Sequence, residues 1–116
     1  MRRLLPHLLF IAALWLGLGW AAPARAQSAA LPSWTVTVKD GVFSPRRLEV
    51  PAGQRIKLIL INQGPGPLEF ENADLHVEKI LAAKAESFVV IKLPPGEHMF
   101  VDEFNIATGE LLIVAR

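Results

Sequence analysis

The sequence predicts an all-β chain, folded as a Greek-key β-sandwich of seven to eight short strands. Three observations carry this. Apolar and polar residues alternate with period two over much of residues 34–114, as they do in half-buried strands. Turn chemistry recurs between these runs as DG, PAG, GPGP and PPG, at the spacing of a sandwich. No segment has the capped apolar stripe of an amphipathic helix.

Taken in order, residues 34–39 (WTVTVK) alternate cleanly and stop at the turn Asp40-Gly41. Phe43-Ser44-Pro45 leads to a short strand at residues 48–50, ended by Pro51-Ala52-Gly53. Residues 56–62 (IKLILIN) make the strongest strand and read as central. Gly64-Pro65-Gly66-Pro67 is a loop, since its prolines cannot donate to a ladder. The extended pattern resumes at residues 68–70. Residues 77–88 are rich in good helix formers but lack caps, so they read as a strand to Leu81, a turn at residues 82–85 and a new strand. That strand, residues 86–93, is rich in β-branched residues. After Pro94-Pro95-Gly96, residues 97–104 form a further strand, and residues 111–114 close the domain.

The N-terminal segment is of another kind. Arg2 and Arg3 precede an apolar run at residues 8–20, and Ala24-Arg25-Ala26 has the small-x-small pattern of a cleavage site. The run is short beside the about 20 residues of a membrane span, although an uncleaved anchor is the competing reading. Residues 1–26 are therefore expected to be a signal peptide, residues 27–33 a linker and residues 34–116 the domain. The protein is expected to be exported, to a bacterial periplasm. Without the leader, nine basic residues face eleven acidic ones. The slight basicity of the chain thus belongs to the leader, and no basic stripe with interleaved aromatics remains for nucleic acid.

The chain has no Cys and no Tyr. This removes disulfides, a Cys-held zinc or iron–sulfur centre, and a thiol nucleophile. Ser28, Ser33, Ser44 and Ser87 have no nucleophile-elbow context, no phosphate-cradling Gly-rich loop is present, and the chain reads as no hydrolase.

What stands out is a run of acids. Glu69 and Glu71, two residues apart on a strand, share a face with Cα atoms about 7 Å apart. Two anions so placed repel unless a cation sits between them; the ordinary alternative is a solvated face beside a Lys or Arg. His76 and Glu78 also share a face if their segment is extended, and imidazole suits copper, zinc or iron. Asp102 and Glu103 add two carboxylates that point to opposite sides of a strand. Asp102 is in phase with Phe100 and Phe104, so it is buried with a partner or a metal, or the strand breaks nearby. Met99 is a soft candidate ligand that also suits a core gap. The expected metal site is Glu69, Glu71, Glu78 and Asp102 or Glu103, with His76 and Met99 as candidates for copper.

The order Val38-x4-Phe43-x-Pro45-x2-Leu48-x-Val50-Pro51-Ala52-Gly53 resembles the opening of cupredoxin-like domains. Glu69-Phe70-Glu71, Glu78-Lys79-x-Leu81, Leu93-x-Pro95-Gly96 and Asp102-Glu103-Phe104 resemble one branch, the small EfeO-type periplasmic proteins of bacterial iron uptake. The resemblance spans residues 34–116. It implies a β-sandwich that handles copper or iron through carboxylates, at most a metal-dependent redox protein aiding ferrous iron oxidation or delivery. Its partners would be an iron permease or other periplasmic or membrane components. Asn105 stands where the branch often has His. A type 1 blue-copper centre is excluded, because it needs a Cys thiolate. The reading from a different class is a metal-free adaptor of the same fold, whose acidic face docks a partner.

Overall fold

The structure, a computed structural model, describes residues 30–116. The expected leader and the first three residues of the expected linker lie outside the described residues. Among the described residues no helix is long and apolar enough to cross a membrane.

Among the described residues nine strands form two sheets. They are β1 (Ser33–Lys39), β2 (Val42–Ser44), β3 (Arg47–Val50), β4 (Arg55–Asn62), β5 (Leu68–Asn72), β6 (Val77–Leu81), β7 (Glu86–Lys92), β8 (Gly96–Asp102) and β9 (Glu110–Ala115). One sheet has the order β2-β1-β4-β7 and the other β3-β9-β8-β5-β6. The chain changes sheet between β2 and β3, again into β4, and again across the proline loop into β5, which makes the sandwich. β1 runs parallel to β4 and β3 parallel to β9, whereas the remaining pairs are antiparallel.

Two details depart from the sequence expectation. The extra strand is β2, three residues around Phe43 that alternation alone is too short to reveal. The strand expected to run to Phe104 ends at Asp102, and Glu103–Asn105 form one turn of 3-10 helix. The residues 77–88 divide as expected, with β6 and β7 joined by a turn.

Period two drives the packing. In β4, Ile56, Leu58 and Leu60 point inward, and in β5 so do Leu68 and Phe70. They meet Val36 and Val38 of β1, Phe100 of β8, and Leu111 and Ile113 of β9 in one core. Phe70 is central. Its ring stacks on Phe100 with centroids 4.9 Å apart and receives Phe43 edge-on at 6.1 Å. Offset stacks and edge contacts of this kind add to the area each ring buries. Truncating Phe70 removes all of this from a rigid site, so Phe70→Ala is expected to cost about 3–5 kcal/mol. Urea unfolding followed by tryptophan fluorescence measures it.

Candidate functional site

Strand phase decides which acids can act together. Asn62, Asn72 and Asp102 follow the inward phase of their strands and are buried, whereas Glu69, Glu71 and Glu78 point outward. The expected site is thereby divided between an inner knot and an outer face.

The knot lies at the end of the sandwich where three loops meet. Asp102, 1% exposed, accepts through Oδ1 from the backbone N–H of Glu69 at 3.2 Å and of Phe104 at 3.0 Å. Its Oδ2 accepts from Asn105 Nδ2 at 2.9 Å. The ladder between β5 and β8 pairs only Phe70 with Asp102 and Glu71 with Val101. As β8 leaves the sheet at Glu103, the Asp102 side chain supplies the acceptor that Glu69 would otherwise lack, and it caps the 3-10 turn. Asn62 ties the neighbouring loops, donating to the carbonyls of Gly66 at 2.9 Å and Ala82 at 3.0 Å while accepting from Gly64 N–H. Thr108 Oγ1 donates to the Gly41 carbonyl.

Two glycines permit this closeness. A Cβ on Gly41, which has φ of +74°, would stand 2.6 Å from Asn105 Cβ, and one on Gly109 would stand 2.7 Å from Asp102 Cβ. Sequence reading passed over Asn62 and Asn72 as functional supports. The signal was present: each sits in the buried phase of an apolar strand, where a polar side chain must find partners. Asn72 does so by donating to the Met99 carbonyl and accepting from Leu75 N–H.

The outer face gathers most of the rest. In the β5–β6 hairpin Glu71 is directly opposite Glu78, and Glu69 lies one inter-residue pair further along the same face. Glu103 joins them from the 3-10 turn. Partial burial raises the Glu69 carboxyl above its ordinary range; Glu78 reinforces this at hydrogen-bonding reach, and the charges of Glu103 and Asp102 add to it. Burial likewise raises Glu71, with Glu103 next and then Glu69 and Glu78. Every charged group credited with shifting these two is itself an acid. Directly opposed like charges oppose folding, so this face is one that protons or cations would relieve.

His76 occupies the hairpin turn with φ of +57° and lines an open hollow of about 290 Å³ together with Glu71 and Glu78. Met99 is exposed on the same face and shares a second hollow of about 420 Å³ with Glu71 and Glu103. Of the seven expected site residues, five thus surround Glu71, and Asp102 is the one turned inward. Proximity stops short of a formed ligand set: among the described residues no three His, Cys, Asp or Glu side chains converge as metal ligands.

The geometry defines a two-sheet sandwich with a hydrogen-bonded loop end and an acidic outer face. Residues 8–114 match the family described as Cupredoxin-like domain, and the chain belongs to that family. It is 34% identical over 82 residues to Uncharacterized protein RP394 of Rickettsia prowazekii (strain Madrid E), covering 70% of this chain and 66% of that protein's length. Solved structures share the fold. The metal-binding domain of the Streptococcus pneumoniae D39 Cu(I)-exporting P-type ATPase CopA, with Cu(I), has a TM-score of 0.65 at 10% identity, covering 72% of this chain and 84% of that one. Auracyanin B has a TM-score of 0.63 at 16% identity over 78% and 93%. The purple cupredoxin of Nitrosopumilus maritimus has 0.56 at 14% over 71% and 98%.

A thiolate-held copper does not fit this chain. It has no Cys, and the buried carboxylate at the loop end already spends both oxygens on Glu69, Phe104 and Asn105.

Two outcomes follow. Asp102→Ala leaves two N–H groups and the Asn105 amide without their acceptor and is expected to cost roughly 2–5 kcal/mol, whereas Asp102→Asn keeps an oxygen for the backbone and costs less. Chemical denaturation of the two variants, with and without chelator, reads the difference. The second outcome concerns pH. Glu69 and Glu71 bind protons more tightly when folded than at their ordinary value of 4.5. Their contribution is fully present below that value and lost as pH rises through the raised ones. Stability is therefore expected to rise as pH is lowered from 7 toward about 5. Below 4.5 the opposite effect of Glu49, lowered chiefly by its hydrogen bond to Arg47, takes over. Glu71→Gln is expected to raise the thermal midpoint at pH 7 and flatten this slope.

Proposed function

We propose that this is an exported metal-handling protein of bacterial iron uptake, which takes copper or iron on the carboxylates of its outer face. The observation that carries the reading is the set of Glu69, Glu71, Glu78 and Glu103 on one face, with Glu71 directly opposite Glu78 and the carboxyls of Glu69 and Glu71 raised first by burial and then by their acidic neighbours. Carboxyls close enough to share a proton are close enough to share a cation in its place, and their oxygens suit hard ions. His76 and Met99 flank the acids and would add affinity for copper. Redox assistance to ferrous iron would depend on the bound metal, because the chain offers no thiol or tyrosine. The iron pathway and a permease partner rest on the Glu69-Phe70-Glu71 and Asp102-Glu103-Phe104 resemblance, and export rests on the leader pattern.

A second reading is supported by the lack of a convergent ligand set among the described residues. In it the same face, metal-free, docks a basic surface of a periplasmic or membrane partner.

Calorimetric titration of the protein with Cu²⁺ and with chelate-buffered Fe³⁺ separates the two. The metal reading expects binding well below millimolar that weakens at least about tenfold in Glu69→Ala/Glu71→Ala, equivalent to about 1.4 kcal/mol. Affinity no better than millimolar, or unchanged in the double variant, overturns it and leaves the adaptor.

A further inference from the structure

Four strands end the two sheets: β2 and β7 in one, β3 and β6 in the other. An open edge is a template for pairing with another chain, and proteins usually blunt it. β2 is three residues long and runs into Pro45. β3 carries Arg47 and Glu49, ion-paired at 3.1 Å, with Arg116 on Glu49 at 2.7 Å. β6 has Glu78 and Lys79 near its centre. β7 has none of these devices. It is seven residues long, without proline, and residues 87–91 are uncharged.

The outer face of β7 is also apolar. Phe88 is 50% and Val90 36% exposed, and Phe88 is paired with half-buried Ile59 of β4. Lys57 sets its ammonium 4.4 Å over the Phe88 ring. Among the described residues neither Glu86 nor Lys92 has an ion-pair partner in the chain.

The charges of this edge are complementary to themselves. Set antiparallel to a second copy about Val89, the strand ESFVVIK places Glu86 opposite Lys92, Ser87 opposite Ile91 and Phe88 opposite Val90. Inward residues meet inward ones and outward meet outward, so the pairing respects both faces. Opposite charges at both ends and an aromatic opposite a β-branched residue are favourable cross-strand pairs.

We propose that β7 is a self-association edge: two copies pair their β7 strands antiparallel about Val89, joining two four-stranded sheets into one. Each copy satisfies the other's open backbone groups, and the Phe88 and Val90 side chains of both form one apolar stripe. The acidic face belongs to the other sheet and stays open, so the dimer stands or falls independently of metal binding.

Sedimentation equilibrium over micromolar to near-millimolar protein tests this with a charge swap at exposed positions. The wild-type chain is expected to show a monomer–dimer equilibrium. Glu86→Lys or Lys92→Glu alone places like charges together at both ends and is expected to weaken the dimer about tenfold or more. The double variant E86K/K92E is expected to recover wild-type affinity within about threefold. A chain that stays monomeric throughout, or a double variant no better than the singles, overturns the proposal.

Discussion

A single buried carboxylate organises the loop end of this molecule. Asp102 terminates β8, extends the β5–β8 ladder by one acceptor, caps the turn that follows and holds Asn105 in place. A charge so deeply buried is tolerated only where hydrogen bonds replace its water, and here three donors do so. Much else follows from that placement. Ending β8 at Asp102 releases Glu103 into the 3-10 turn, which swings it toward Glu71. With its amide held by Asp102 and Leu68 and Phe70 turned inward, β5 presents both Glu69 and Glu71 outward.

The same arrangement explains why fold and chemistry part company. The chain shares a sandwich with a metal-binding domain whose structure holds Cu(I), yet it has no thiolate and both oxygens of its buried acid are engaged. Near this loop end the acids left open lie on the outer sheet face. There the acids stand closer than folding stability alone would favour, since Glu71 faces Glu78 across a hairpin that places no Lys or Arg between them. A surface that gives up stability in this way is a candidate for function, because a bound cation or basic partner would recover it.

Much of this was legible in the sequence, because period two carries both the strand and its inner face. Ile56, Leu58, Leu60 and Asn62 share one phase, as do Leu68, Phe70 and Asn72, and the structure buries them all. The pairing of Glu69 with Glu71 follows from the same rule. Other features depend on register and neighbours, which one strand's pattern does not contain. Glu78 meets Glu71 only because a four-residue turn with His76 in the left-handed region sets the hairpin register. Phe104 continued the apolar alternation of β8, so the break at Asp102 was hidden, although an acid in the buried phase hinted at it. That β7 is an edge and β1 is not comes from topology, which strand composition leaves open.

The proposed metal role places cations on the carboxylates around Glu71 in preference to the acids on other edges. Paramagnetic broadening of amide signals in the ¹⁵N-labelled protein, titrated with substoichiometric Cu²⁺, tests it most directly. Binding there is expected to cause early, selective loss of the Glu71, Glu78 and Glu103 amides while those of Glu49 and Glu86, acids on other edges, persist. Broadening no stronger at Glu71 and Glu78 than at Glu49 and Glu86 would contradict it.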